Sequence, residues 1–193
     1  MCKSGTKENS LFTIINTNSR SLCPKLQSFI DCFKEMEASL AVCTETWFRD
    51  SQDLDDDIDD LLHGAGIGML VLNRGVGDRG VAHGGVAVAY RAATMTTKSV
   101  TMLQNPEKYE ILTTVSTIAG HSKKLVTIAA YIPPGYPVAR GRGCLSFISD
   151  LVIEAKRRYR EPYLAISGDF NQWDVGQALE DFLDISEVDV GPT

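Results

Sequence analysis

Nowhere does this sequence approach the ~20 continuous apolar residues that a membrane-spanning helix requires, and its first ten residues, MCKSGTKENS, lack the apolar core of a secretory signal. Both absences point to a soluble, non-secreted chain working inside the cell. Paired cysteines are missing too: the five present (Cys2, Cys23, Cys32, Cys43 and Cys144) are odd in number, scattered, and never spaced C-x-x-C. That pattern speaks against a disulfide framework or a zinc site and for reduced thiols. Positive charge is scarce, with 19 Lys and Arg against 25 Asp and Glu and a net charge of -6. Binding nucleic acid by bulk electrostatics is therefore disfavoured, whereas an enzyme that sets carboxylates around a metal ion remains open. The sequence contains no internal repeat, low-complexity tract or linker.

What is present is ordinary globular material, 44% hydrophobic and 23% charged over 193 residues, enough for one core and short of two comfortable domains. One domain over residues 1–193 is expected. SLFTIINTNS reads as a β-branched strand that feeds a polar loop from Asn16 onward. PKLQSFIDCFKEMEASL places Leu26, Phe29, Ile30, Phe33 and Met36 at helical spacing, with Pro24 suited to the first turn. Leu40 to Cys43 then forms a short apolar strand that closes on polar residues. The acidic run Asp53 to Leu62 reads as a solvated loop or helix face. GIGMLVLNR, GGVAVAYR, YEILTTVSTI and KLVTIAAYIPP read as four consecutive strands in antiparallel pairing, with Asn73 to Gly85 a mobile loop between two of them. GCLSFISDLVIEAKRRYR gathers Leu145, Ile148, Val152 and Ala155 on one helical side, with Lys156, Arg157, Arg158 and Arg160 towards its C-terminal end. It leads into YLAISGDFNQW, a buried strand that stops at Gly168, and residues Gln177 to Leu183 suit a last short helix. Strands meeting strands with helices over them predict an α/β sandwich of packed sheets flanked by helices.

Several of these strands finish on polar residues: Asn16 in the first, Glu45 in the second, Tyr131 in a later one, Asp169 and Asn171 in the last. On one edge they would floor a cleft with a carboxylate pair, amides and a phenol, groups that are costly to bury without partners. A divalent cation with a phosphate would supply those partners, since Mg²⁺ takes a few carboxylate or amide oxygens and keeps its other positions for water and phosphate. Each residue also has a plainer reading. GDFN suits a turn, Glu45 a surface charge, Tyr131 packing before Pro133-Pro134, and Asn16 or Asn18 a cap or Asx turn.

The segments IINTNS, LAVCTETWF, HGGVAVAYR, AAYIPP and ISGDFNQW, in this order, resemble the endonuclease/exonuclease/phosphatase superfamily. Within it they are most similar to the apurinic/apyrimidinic-like endonuclease domain of non-LTR retrotransposons, from about Leu11 to the last residue. ETW and GDFN carry the superfamily likeness; GGVAVAYR and YIPP tilt it toward the retrotransposon branch. The resemblance implies a four-layer α/β sandwich and an Mg²⁺-dependent endonuclease, with Mn²⁺ as the alternative ion. Glu45 would be the main metal ligand, supported by Asn16, with Asn18 close to the metal. Tyr131 would set its hydroxyl near the scissile phosphate, Asp169 would handle a proton of the attacking water or leaving oxygen, and Asn171 would hydrogen-bond the phosphoryl group. DNA is the implied substrate, nicked to leave a 3′-hydroxyl, in the nucleus when the target is genomic, with a reverse transcriptase tethered in the full-length element and no membrane partner.

One departure stands out. Relatives continue into further strands and a Ser-Asp-His segment, while the histidines here, His63, His83 and His121, follow Leu62, Ala82 and Gly120. The sandwich is accordingly expected to lack its C-terminal strands, and turnover to be impaired. Two other readings follow from the same residues: an inert nucleic-acid-binding remnant, or a phosphatase of the same fold.

Overall fold

Leu40–Thr44 (β2) is buried at every position, on both faces. A short run of small and β-branched residues with no polar face suits a central strand covered on both sides. The computed structural model, which describes residues 12–48, 54–73 and 84–176, places it there. Ile14–Asn18 (β1) pairs with it in parallel, Val86–Arg91 (β4) pairs antiparallel on its other side, and Ile67–Leu72 (β3) lies beyond, giving the order β1-β2-β4-β3. A second four-stranded sheet runs Met95–Ser99 (β5), Glu110–Ile118 (β6), Lys124–Tyr131 (β7) and Tyr163–Asp169 (β8) in that order, antiparallel except for the parallel β7–β8 pair.

Alternation along the strands sorts side chains into layers. Leu40, Val42, Val86, Val88, Leu112 and Ala129 fill the space between the sheets. Ala41, Cys43, Ala87 and Ala89 face outward, where Leu26–Glu35 (α1) and Asp56–Gly64 (α2) cover them with Phe29, Ile30, Phe33 and Leu62. Val126, Ile128 and Ala130 of the second sheet face Val138–Arg158 (α3) through Cys144, Ile148, Val152 and Ala155. The result is a four-layer α/β sandwich of two mixed sheets flanked by helices, as expected. Burial pushes the Cys43 and Cys144 thiols up to about 12, and both are free thiols.

The acidic stretch becomes a helix because its charges sit at the correct end. The Asp55 carboxylate accepts the Asp57 N–H at 3.1 Å, and Asp56, Asp57 and Asp59 occupy the first turn of α2, where the helix dipole favours anions. Leu62 anchors the other side with no exposed surface. Asp55→Ala is expected to lower stability by about 1 kcal/mol, read as a lower urea midpoint at unchanged slope.

Five expectations need correction. Met36 lies just past α1 and is 52% exposed, because the helix has already ended at Glu35. The four strands read as consecutive antiparallel neighbours are split between the sheets: β3 pairs with β4 and β6 with β7, and an additional strand, β5, changes sheets between them. Helix α3 starts at Val138, five residues before Gly143. Strand β1 runs through Asn16 to Asn18. Strand β8 continues through Gly168 to Asp169 and is half-buried along most of its length, as the last strand of its sheet among the described residues. The suggested helix from Gln177 to Leu183, and most of the loop from Asn73 to Gly85, lie outside the described residues.

Candidate active site

Parallel pairing within each sheet brings four strand ends to one edge: β1 ends at Asn18, β2 runs straight into Glu45, β7 ends at Tyr131, and β8 ends at its register partner Asp169. Asn18 is the junction. Its Nδ2 donates to Glu45 Oε1 at 2.9 Å and to Asp169 Oδ2 at 2.7 Å, so one amide bridges carboxylates carried by different sheets. The Tyr131 hydroxyl donates to the same Glu45 oxygen at 3.1 Å.

The other two residues act at one remove. Asn16, two positions back on the same face of β1, donates to the Gly168 carbonyl at 2.8 Å and ties the edge strands of the two sheets together; its amide bonds β8 rather than Glu45. Asn171 donates its backbone N–H to Asp169 Oδ1 at 3.0 Å and its side-chain amide to the Ile132 carbonyl at 2.9 Å. The loop after β8 is thereby fastened to the loop after β7, and the Asp169 carboxylate is held by a turn of its own chain.

The backbone here is unusual. Arg20, Ser21, Glu45, Trp47 and Asn171 all have positive φ, with Glu45 at 52° and Asn171 at 49°. Residues other than glycine hold such conformations only where the surroundings fix them, and sites of that kind gather at functional centres. At Glu45 the fixing bonds are explicit: its carbonyl accepts from the Ser21 N–H at 2.9 Å and the Ser19 hydroxyl at 3.2 Å, while Leu22 N–H reaches Thr46 at 3.0 Å.

Burial raises the pKa of the Tyr131 hydroxyl well above the usual phenol value, reinforced by its bond to Glu45 and by the charges of Glu45, Glu110 and Asp169. It is a neutral donor at any working pH. Glu110 escaped the sequence reading, although it is a buried carboxylate directly opposite Tyr131 in the β6–β7 register. The available signal was an acid at the head of an otherwise apolar strand, YEILTT.

Neither Glu45 nor Asp169 is in an ion pair among the described residues, so two acids share one neutral amide. Oxygen donors without thiolate or imidazole suit a hard cation such as Mg²⁺ or Mn²⁺. The described residues contain no group of three or more His, Cys, Asp or Glu able to hold a metal ion. His63, near the end of α2, and His121, which meets the Tyr163 ring at 6.3 Å, both lie at the far ends of the strands from this edge. His83 is outside the described residues. A hollow of about 1080 Å³ lies elsewhere, between β3 and the β5–β6 side, lined by Leu70, Leu72, Met102 and Tyr109, and includes none of Asn18, Glu45, Tyr131 and Asp169.

Solved structures share this arrangement of sheets and helices. An AP endonuclease from Archaeoglobus fulgidus superposes with a TM-score of 0.63 at 16% identity, over 90% of this chain and 70% of that one. The 3′ phosphatase NExo from Neisseria, bound to a product DNA hairpin, gives 0.61 at 16% identity over 89% of this chain and 71% of its own. The chain has the endonuclease/exonuclease/phosphatase-type fold. TDP2 from D. rerio, complexed with a single-strand DNA product, adds a TM-score of 0.58 at 13% identity over 86% of this chain, which spans 64% of that TDP2 chain. No family model matches the sequence, and no curated protein matches it. No helix among the described residues is long and apolar enough to cross a membrane.

Proposed function

We propose that this chain is the Mg²⁺-dependent DNA endonuclease domain of a non-LTR retrotransposon, hydrolysing one phosphodiester to leave a 3′-hydroxyl. The observation that carries the reading is the pair Glu45 and Asp169, set on different sheets and joined through Asn18 with the Tyr131 hydroxyl beside them. Glu45 and Asn18 would hold the cation, which supplies charge neutralisation at phosphorus when bound. Tyr131 offers a proton-bearing hydroxyl to a phosphoryl oxygen, and Asp169, the other acid, takes or returns the proton of water or of the leaving oxygen. Asn171, exposed on its turn, presents the loop that meets the phosphate. In this reading the domain is tethered to a reverse transcriptase and acts on genomic DNA in the nucleus, where the new 3′-hydroxyl primes synthesis.

The fold's neighbours support DNA processing in general, and one of them, a 3′ phosphatase, keeps removal of a terminal phosphate as a second reading. The test is conversion of supercoiled plasmid to nicked circles with MgCl₂ and with EDTA, followed by polymerase extension of the nick. Mg²⁺-dependent, extendable nicks lost in Glu45→Ala are expected. Release of phosphate from 3′-phosphate ends without nicking would replace this reading with the phosphatase one, and nicking that survives Glu45→Ala would remove it.

A further inference from the structure

Glu110 is a charged side chain only 5% exposed, and nothing in the chemistry above uses it. One of its oxygens, Oε2, accepts the Gly85 N–H at 2.7 Å. Gly84 and Gly85 have φ of +79° and +89°, and both are pressed from the side: a Cβ on Gly84 would come within 2.4 Å of Glu110 Oε2, and one on Gly85 within 2.5 Å of Thr46 Oγ1. Only glycine fits this position, where conformation and close approach coincide. The same glycine carbonyls accept from the segment that follows the candidate metal ligand: Trp47 N–H reaches Gly84 O at 3.1 Å and Thr46 N–H reaches Gly85 O at 3.4 Å.

A continuous strap therefore runs from β6 of the second sheet through the Gly84-Gly85 turn to Thr46 and Trp47, directly after Glu45, of the first. On its other side the same segment is bonded to Ser19, Ser21 and Leu22. We infer that Glu110 is a positioning residue that fixes the backbone of the Glu45 segment by gripping Gly85, so that the first sheet's acid is set against the second sheet's Asp169 and Tyr131. The grip is a hydrogen bond to one carboxylate oxygen, so it requires an acceptor of this length. The inference rests on Glu45 being the cation's ligand. A group that orients a metal ligand from behind changes affinity rather than identity of the ion, typically by ~10–100-fold.

The test uses the 193-residue protein with Glu110→Ala and Glu110→Gln, and two readouts that need no turnover. One is amide hydrogen exchange at Trp47; the other is tryptophan fluorescence during titration with MgCl₂. Glu110→Ala should speed exchange at Trp47 while amides in β6 and β7 away from position 110 stay protected, and should raise the MgCl₂ midpoint ~10–100-fold. Glu110→Gln, whose amide oxygen can still accept from Gly85, should restore both. The inference is overturned if Glu110→Ala leaves exchange at Trp47 at the parent rate, if protection is lost evenly across both sheets, or if Glu110→Gln behaves as Glu110→Ala. A parent protein without any fluorescence response to MgCl₂ would instead strike at the metal reading of Glu45, while the exchange experiment would still decide the strap.

Discussion

Asp169→Ala is expected to reduce Mg²⁺-dependent nicking by ~10²–10⁴-fold, the usual cost of deleting a proton-transfer group, while leaving the stability of the metal-free protein within about 1 kcal/mol of the parent. The two halves of this expectation have one cause. The Asp169 carboxylate is half-buried at the end of β8 and makes two hydrogen bonds, with Asn18 Nδ2 at 2.7 Å and the Asn171 N–H at 3.0 Å. Removing it frees donors on Asn18 and Asn171, both exposed, so water replaces what is lost. It also removes one of two acids that share a single neutral amide. Groups kept in an unfavourable arrangement for chemistry behave in this way: activity falls and stability does not. Plasmid nicking beside a urea melt in EDTA checks both. A variant that nicks at the parent rate, or one that unfolds several kcal/mol more easily, would show that Asp169 has a structural task and no chemical one.

The layers of the fold were legible because burial imposes a period. Phe29, Ile30 and Phe33 mark a helix face by spacing alone, and the apolar runs of β2, β4 and β7 mark covered strands. Strand β5, MTTKS, was not legible: only Met95 and Thr97 are buried, Thr97 meets the Ser116 hydroxyl at 2.9 Å, and the rest is polar and exposed, so little hydrophobic signal marks it. The first turns of α3 were hidden by Gly141 and Gly143, which are poor helix formers. Gly141 is there because the Trp173 ring lies against it, within 2.0 Å of where a Cβ would stand, and that contact joins residues far apart in sequence. The site was legible in its parts, since Asn18, Glu45, Tyr131 and Asp169 each follow or end a strand. Its connections were not. That Asn16 bonds Gly168 and that Glu110 stands behind the Gly84-Gly85 turn depend on how the two sheets face each other, which no local pattern encodes.

Gly168→Ala is the substitution expected to damage the protein most. A strand residue before an acid looks replaceable, yet Gly168 has a φ of +153°, and a Cβ there would fall 1.8 Å from the Ala130 carbonyl oxygen, 2.8 Å from its carbon and 2.9 Å from its nitrogen. Those atoms are main chain of the register partner on β7, held in the ladder on both sides, so no flexible side chain can give way. The Gly168 carbonyl also accepts Asn16 Nδ2, so displacing β8 pulls on the strap between the sheets' edges. Backbone strain together with a parted strand pair belongs to the small class of substitutions that cost about 3–5 kcal/mol, which lowers the melting temperature by on the order of 10 °C for a domain of this size. Gly135→Ala, where a Cβ meets nothing within 4 Å, is the control and should change stability by less than about 0.5 kcal/mol. Because Asp169 follows directly and Tyr131 lies opposite it, the damage should reach the acid cluster: at temperatures where Gly168→Ala is still folded, its MgCl₂ midpoint should be higher than that of Gly135→Ala. Equal melting temperatures for the two variants would mean that β8 does not approach β7 this closely, and the placement of Asp169 against Glu45 would have to be drawn again.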